Sequence, residues 1–150
     1  MSELLEKARS YEAKKIAATD KESKPLFHIS APAGWINDPN GFSVYNGKIH
    51  LFYQYYPYLR EWGPMHWGHS TTSDMIKWEQ LPCVLAPDEE YDIKGCFSGS
   101  AIEADGKHVL VYTGVTRIKL PDGSEQERQN QCIAFGDGLN YVKHENNPVV

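Results

Sequence analysis

Long apolar runs, paired cysteines and an excess of positive charge are all missing from this 150-residue sequence. Its first 25 residues hold no apolar run. A secretory signal needs about 7 to 15 apolar residues and a membrane-spanning helix about 20, so neither is predicted. We therefore expect a cytoplasmic protein with no membrane partner. Three cysteines without paired spacing argue against a disulfide framework and favour a reducing compartment: Cys83, Cys96 and Cys132.

Basic residues are outnumbered by acidic ones, 15 to 20, and the net charge of −5 argues against a nucleic-acid partner. A metal site is not predicted either. His66 and His69 stand three apart on a probable strand and would point to opposite faces, and no cysteine or carboxylate lies at ligand spacing. No cofactor is predicted. Aromatic residues make up 12% of the chain and concentrate between Trp35 and Trp78, which is typical of a β-rich core or a carbohydrate-binding surface.

The N-terminal segment has the pattern of one amphipathic helix over residues 2–18. Ser2 can cap it, and Leu4, Ala8 and Tyr11 would share the face that packs on the protein. The run from Lys21 to Pro25 is expected to end it. Residues 1–24 are therefore predicted to be an N-terminal helix and linker lying on the domain surface, with a partner-binding helix as the alternative.

From Phe42 onward the pattern is one of short strands and turns. Asn46-Gly47 and Asp105-Gly106 each lie between strand-like runs and predict two β-hairpins. A loop over residues 119–124 predicts a further hairpin connection. The sequence is therefore expected to be all-β after its helix.

A repeat is visible in the segments that come after the two hairpins. The turn at residues 73–75 aligns with the turn at 136–138, and Trp78 aligns with Tyr141, each 63 residues later. Residues 76–78 and 139–141 are predicted to be strands after these turns. Two units of about 60 residues with four short strands each are typical of propeller blades, with an antiparallel sandwich as the alternative.

One heptapeptide, Trp35 to Gly41 (sequence WINDPNG), places a single carboxylate in an unusual setting. Pro39 disfavours helix for the residue before it, so Asp38 is expected to be extended, at or near the end of a strand. Asn40-Gly41 tolerates positive φ and predicts a tight turn. Trp35 and Phe42 flank the acid, and a ring face beside a carboxylate suits a sugar, whose C–H groups pack on the ring. An ordinary turn between strands is the alternative.

This heptapeptide resembles the signature of the β-fructosidases, glycoside hydrolase family 32, which includes invertases, fructanases and sucrose-6-phosphate hydrolases. Later blocks resemble the family in the same order: Phe52-Tyr53-Gln54, Trp62 to His69, and Gly95 to Ser100. The resemblance implies that Asp38 is the nucleophile of a retaining hydrolase that cleaves terminal β-fructofuranosides such as sucrose or sucrose 6-phosphate.

The resemblance also implies binding roles. Asn37 and Gln54 would hydrogen-bond the fructosyl hydroxyls, Trp62 would pack on the sugar, and Phe97 with Ser98 would line its pocket; Trp35 joins them as the ring beside the acid. For Gln54 the alternative is an exposed strand face, and for Trp62 a packing role within its loop. Trp67 and Trp78 are predicted to lie in the core, and Cys96 to be a buried structural thiol.

As to architecture, the resemblance implies a five-bladed propeller followed by a β-sandwich, with residues 25–150 as the first two blades. The family's two other catalytic carboxyls lie in Arg-Asp-Pro and Glu-Cys motifs, and neither string occurs here. Most other acids between residues 61 and 92 are expected to be solvated. The 150 residues alone are therefore expected to be inactive. The alternatives are a non-catalytic fructoside-binding propeller, an inactive fragment, or a relative from another five-bladed family.

Overall fold

The structure is a computed structural model and describes residues 1–20, 22 and 24–150. One helix is followed by eight strands: α1 (Glu3–Ala18), β1 (Trp35–Tyr45), β2 (Lys48–Tyr56), β3 (His66–Thr72), β4 (Glu79–Leu85), β5 (Gly95–Ala104), β6 (Lys107–Lys119), β7 (Glu125–Gly136) and β8 (Tyr141–Lys143). They form two antiparallel sheets, a first sheet ordered β1-β2-β3-β4 and a second ordered β5-β6-β7-β8. The predicted all-β chain, with one helix and two four-stranded units, is confirmed.

The two predicted hairpins form at the expected turns. Asn46 and Gly47 have φ of 48° and 71°, and Asp105 and Gly106 have φ of 50° and 72°. Two adjacent left-handed residues match the twist of the strands they join, which is why Asn-Gly and Asp-Gly are strong hairpin signals. The loop at 119–124 likewise joins β6 to β7.

The repeat is visible in hydrogen bonds as well as in sequence. Asp74 Oδ1 accepts the backbone N–H groups of residues 76 and 77, and Asp137 Oδ1 accepts those of residues 139 and 140. Because these carboxylates curl the backbone around themselves, the predicted strand positions at 76–78 and 139–140 belong to turns. Strand β4 begins at Glu79 and β8 at Tyr141.

Helix α1 is rotated by about one position from the predicted face. Ser2 caps it by accepting the N–H of Leu5 at 3.2 Å. Leu5, Ala8 and Glu12 are buried, whereas Leu4 is 40% exposed. The helix ends at Ala18, before the run from Lys21 to Pro25 that was predicted to end it. Residues 21 and 23 of that run lie outside the described part of the chain.

This rotation has a polar cause, because α1 covers the free edge of strand β4. The N–H of Cys83 donates to Glu12 Oε2 at 3.0 Å, and Arg9 Nε donates to the carbonyl of Cys83 at 2.7 Å. The same guanidinium reaches the turn between β7 and β8, at Asn140 Oδ1 (2.9 Å) and the carbonyl of Leu139 (3.2 Å). Unpaired edge groups are a liability in any sheet, and two side chains of α1 satisfy them here.

Burial of Glu12 makes the stability of this contact depend on pH. Desolvation raises the pKa of Glu12 from 4.5 to about 7, against the lowering effect of the Cys83 N–H. The folded state therefore holds a proton that the unfolded state has released, and stability falls as pH rises from 4.5 through 7. We expect Glu12→Gln, which cannot ionise, to gain stability relative to wild type over this range, by up to about 3 kcal/mol.

Chemical denaturation of both proteins at pH 4.5, 6 and 8 measures this difference. Glu6→Gln is the matched control, because Glu6 lies exposed on the same helix and its replacement removes the same charge. A Glu12→Gln difference that stays constant with pH would show that folding does not change the pKa of this carboxyl.

Two hydrophobic clusters hold these elements together. The larger lies between the sheets and joins Phe52 and Trp67 of the first to Leu110 and Tyr112 of the second. The smaller packs Leu5 and Ala8 of α1 against the opposite face of the first sheet, on side chains that include Tyr53, Tyr55 and Cys83. Trp67 lies in the core as predicted. Trp78 does not, since it is only half-buried beside the C-terminal end of α1.

All three cysteines are buried with free thiols, and Cys96 is the buried structural thiol that the sequence predicts. His69 Nε2 shares a hydrogen bond with His50 Nδ1, and His66 Nδ1 contacts the carbonyl of Pro64, both at 2.9 Å. Within the described ranges, no cluster of three or more metal-ligating side chains occurs, and no helix there is long and apolar enough to cross a membrane.

Candidate active site

The heptapeptide lies inside strand β1, and its acid sits in a bulge. Ile36 pairs with Tyr55 and Pro39 with Tyr53, so Asn37 and Asp38 together oppose the single residue Gln54. A bulge of this kind bends a strand and re-aims the side chains within it. The predicted extended conformation of Asp38 is confirmed, but the strand does not end there.

The predicted turn at Asn40-Gly41 is wrong, because β1 continues to Tyr45 through a second irregularity. Gly41 has a φ of 54°. A Cβ on this residue would lie 2.7 Å from the Phe52 ring and 3.1 Å from Ala101. The positive φ therefore bends the strand rather than reversing it, and the missing side chain lets β1 approach both β2 and β5.

A third irregularity, in strand β5, brings Ser98 to the acid. Phe97 pairs with Thr113 and Gly99 with Tyr112, so Ser98 is the extra residue of a bulge. Its hydroxyl donates to Asp38 Oδ2 at 3.1 Å. Two bulges, one in each sheet, thus converge on a single carboxylate.

The other carboxylate oxygen is held from within the heptapeptide. Trp35 Nε1 donates to Asn37 Oδ1 at 2.8 Å, and Asn37 Nδ2 donates to Asp38 Oδ1 at 3.4 Å. The Trp35 indole thus orients the Asn37 amide, and the Asn37 amide in turn orients the Asp38 carboxylate. Asp38, Asn37 and Ser98 are all exposed, so the acid is fixed in place and still open to a ligand.

Aromatic rings adjoin the residues that hold this acid. Trp62 is 58% exposed, and its ring centroid lies 6.2 Å from that of Phe97 at nearly a right angle. Trp35, whose indole holds Asn37, is also partly exposed. Because Trp62 is this exposed, the alternative of a ring packed into its own loop does not hold. The geometry offers a carboxylate, an amide and a hydroxyl, with exposed ring surface on residues that contact or neighbour the amide and the hydroxyl.

Gln54 does not lie on the exposed strand face that was the alternative prediction for it. The side chain is only 2% exposed, so it does not lie on a solvated strand face. Its amide nitrogen donates to the carbonyl of Cys96, across the gap between the sheets, at 3.0 Å. Gln54 therefore connects the strand opposite Asp38 to the residue that precedes Phe97-Ser98.

Among the other acids between residues 61 and 92, Asp88 is half-buried and five are exposed as expected: Glu61, Asp74, Glu79, Glu89 and Glu90. Asp92 is the exception, because it is fully buried and bound to Lys143 and to the hydroxyl of Tyr112. Burial raises the pKa of Asp92, while the Lys143 ammonium lowers it. The Asp92 carboxyl is therefore taken up by contacts inside the protein and is not exposed at the site of Asp38.

One contact at this site has no counterpart among the sequence predictions. Trp67, predicted only as core, donates its indole N–H to the carbonyl of Phe97 at 3.1 Å. A buried tryptophan usually needs a hydrogen-bond acceptor for its indole N–H. The predicted burial of Trp67 is therefore the one signal in the sequence that could have prompted a search for this acceptor.

Comparison with known proteins identifies relatives of this chain. Residues 28–150 match the model of the glycosyl hydrolases family 32 N-terminal domain. Over 120 residues, 79% of the chain, the sequence is 47% identical to sucrose-6-phosphate hydrolase from Escherichia coli, of which the match covers 25%. Levanase from Bacillus subtilis is 39% identical over 98% of the chain and 22% of its own length.

A solved structure gives the same result. A variant of the Bombyx mori GH32 β-fructofuranosidase BmSUC1 in complex with sucrose superposes with a TM-score of 0.84 and 45% identity, over 97% of this chain and 30% of that one. The chain thus spans about a quarter of the length of the curated relatives it matches. Since the family 32 N-terminal domain model matches residues 28–150, which include the strands that carry Asp38 and Ser98, this protein belongs to glycoside hydrolase family 32.

Proposed function

We propose that this chain supplies the catalytic nucleophile of a retaining β-fructofuranosidase, and that this nucleophile is Asp38. The observation that carries the proposal is the pair of bulges that brings one exposed carboxylate into hydrogen bonds with Ser98 and Asn37. Trp35 donates to Asn37, and Phe97, which precedes Ser98, packs against Trp62. Relatives named sucrose-6-phosphate hydrolase and levanase, and the sucrose complex of the Bombyx mori variant, support a fructoside as the substrate.

In the proposed reaction, an Asp38 oxygen attacks the anomeric carbon C2 of the fructosyl unit. The bond from C2 to the glycosidic oxygen breaks, and a carboxylic acid donates a proton to that oxygen as the aglycone leaves. Water then attacks C2 of the fructosyl ester, gives a proton back to the same acid, and releases fructose and the Asp38 carboxylate. The acid must lie about 5–5.5 Å from Asp38, and no residue of the described chain is assigned to it.

Binding is shared among the residues around the carboxylate. Asn37 and Ser98 present polar groups at the surface, and an amide can both donate to and accept from vicinal hydroxyls. Trp62, Trp35 and Phe97 supply ring surface for the C–H faces of the sugar. Gln54 is proposed to hydrogen-bond the fructosyl hydroxyls as well, while its amide nitrogen fixes strand β5 through the carbonyl of Cys96.

For the architecture, we propose that the two sheets are the first two blades of a five-bladed propeller. Residues 25–150 would form these blades and residues 1–24 the helix and linker that cover the outer edge of the first. The matching Asp74 and Asp137 turns support two copies of one unit. We further propose a cytoplasmic location, in keeping with three buried free thiols.

A second candidate function is fructoside binding without turnover. It is favoured by one observation: neither the Arg-Asp-Pro nor the Glu-Cys string of the family occurs in these 150 residues. Such a protein would hold fructosides at the same rings and amide, but it would lack a proton donor for the leaving group.

The stereochemistry of hydrolysis tests the proposed function. The protein for this experiment is the longest natural polypeptide that contains residues 1–150. Two displacements at C2 give β-fructofuranose as the first product, which rapid NMR detects before mutarotation. An initial α product would mean direct attack by water, with Asp38 as a base. Sucrose binding without any product would favour the second candidate.

A further inference from the structure

The first sheet holds the start of strand β5 with three hydrogen bonds. The N–H of Cys96 donates to the carbonyl of Met65 at 2.8 Å. Gln54 Nε2 donates to the carbonyl of Cys96 at 3.0 Å, and Trp67 Nε1 donates to the carbonyl of Phe97 at 3.1 Å. We call Gln54 and Trp67 the cross-sheet clamp. They are direct partners in the register of β2 and β3, so the two donors stand side by side and meet two consecutive carbonyls.

The bond from Trp67 to the carbonyl of Phe97 affects Ser98, the residue whose hydroxyl holds Asp38. The carbonyl of Phe97 and the N–H of Ser98 belong to one planar peptide unit. Fixing that carbonyl fixes the plane from which Ser98 departs, at the point where the bulge removes it from the regular β5–β6 register. The direction of the Ser98 hydroxyl is therefore set in part by the indole of Trp67.

Trp67 is built to hold this position. Its side chain is fully buried and packs against the rings of Phe52 and Tyr112, with centroids 5.7 and 6.3 Å away. The indole has one N–H donor, and turning it away would leave the carbonyl of Phe97 without this partner. Gln54 lies opposite the Asn37-Asp38 bulge. Strands β2 and β3 therefore position both residues of the Ser98–Asp38 hydrogen bond, Asp38 through the strand pairing and Ser98 through the clamp.

We propose that Trp67 is a positioning residue of the active site, which acts through the carbonyl of Phe97 to hold the Ser98 hydroxyl on the carboxylate of Asp38. This assignment rests on the proposed function, in which Asp38 is the reacting group. Positioning errors near 1 Å are sufficient to lower turnover by up to about 100-fold.

The variant Trp67→Phe keeps an aromatic ring and removes the N–H. In the longest natural polypeptide that contains this chain, we expect kcat for sucrose to fall about 10-fold or more while KM changes less than about 3-fold, because orientation is lost and the binding rings remain. Trp78→Phe is the matched control. It makes the same replacement at a half-buried tryptophan beside α1, and its kcat should equal that of wild type.

A double-mutant cycle with Ser98→Ala separates positioning from general loss of packing. If Trp67 acts through Ser98, the double variant should be no slower than the slower single variant, because the hydroxyl is already gone. Multiplied losses would overturn the proposal. Where Trp67→Phe fails to fold, benzothienylalanine at this position supplies the second variant, since it keeps the indole shape and replaces only the N–H by sulfur.

A crystal structure of the same variant gives a readout that does not need turnover. We expect the Ser98 Oγ to Asp38 Oδ2 distance to exceed 3.5 Å without the indole N–H, beyond hydrogen-bonding range. An unmoved hydroxyl with unchanged kcat overturns the role of Trp67 and leaves the proposed function intact. A displaced hydroxyl in a protein that never hydrolyses fructosides supports the role of Trp67 and overturns the proposed function.

Discussion

Asp38→Asn is expected to lower kcat for sucrose by about 10⁴-fold or more, a loss typical of removing a covalent nucleophile. The amide is nearly the size of the carboxylate, and its oxygen can still accept the Ser98 hydroxyl, which lies 3.1 Å from Asp38. The fold and the ring surfaces should therefore remain. What is lost is the negative charge and the oxygen that forms the ester to C2.

Two measurements make this prediction specific. Calorimetric titration with sucrose should show that the variant still binds the substrate, whereas steady-state hydrolysis should be nearly abolished. Asp105→Asn is the matched control, because Asp105 lies in the far hairpin at a φ of 50° that Asn also tolerates. A kcat for Asp38→Asn within tenfold of wild type would contradict the assignment of Asp38 as the nucleophile.

The parts of this fold that could be predicted are those that local chemistry determines. Asn46-Gly47 and Asp105-Gly106 need no distant partner to form a tight turn, and both form where the sequence places them. Asp74 and Asp137 repeat because each caps its own turn. Such signals lie within four or five residues, so they can be read directly from the chain.

Register could not be read in this way. The heptapeptide alone predicts a turn at Asn40-Gly41, but the same residues form bulges inside a long strand. Whether a positive φ reverses a strand or only bends it depends on what lies opposite, here Phe52 and Ala101. Bulges are set by the neighbouring strand and by close approach across the sheet gap, which are non-local properties.

The same distinction between local and non-local features applies to the candidate site. Asp38, Trp62 and Ser98 could be proposed singly from motifs, but the bond between Asp38 and Ser98 joins residues 60 apart in sequence. The burial of Gln54 and the bond from Trp67 to the carbonyl of Phe97 depend on the packing of one sheet on the other. No pattern in a single strand indicates them.

Asp92 is the fully buried acid between residues 61 and 92, and its replacement has the largest expected effect on stability. This buried carboxylate accepts the N–H of Glu89 at 3.0 Å and the hydroxyl of Tyr112 at 2.8 Å, and it pairs with the ammonium of Lys143. Lys143 also donates to the carbonyl of Ala86. The network ties the connection between β4 and β5 to strands β6 and β8.

The two charges compensate each other only as a pair. Burial raises the pKa of Asp92. It would lower that of Lys143, but the neighbouring carboxylates of Asp92 and Asp88 raise the pKa of Lys143 above its usual range. Desolvation thus offsets much of the attraction within the pair, whereas removing one partner leaves the other charge poorly compensated in the interior.

We therefore expect Asp92→Asn to lower the free energy of unfolding by about 3 kcal/mol or more, measured by chemical denaturation at pH 7. Glu79→Gln is the control, since it removes one partner of the exposed ion pair with Lys48, where side chains are 50% and 62% exposed. That change should cost about 0.5 kcal/mol or less.

A double variant decides whether the loss comes from the stranded charge. Lys143→Met in the Asp92→Asn background removes the ammonium as well, while Asp88 keeps the hydrogen bond from the Ser2 hydroxyl. The double variant should therefore be more stable than the sum of the two single losses predicts, by at least about 1 kcal/mol, as expected for residues in one network. Additive losses would show that Asp92 stabilises the fold through its bonds to Glu89 and Tyr112 and not through the ion pair.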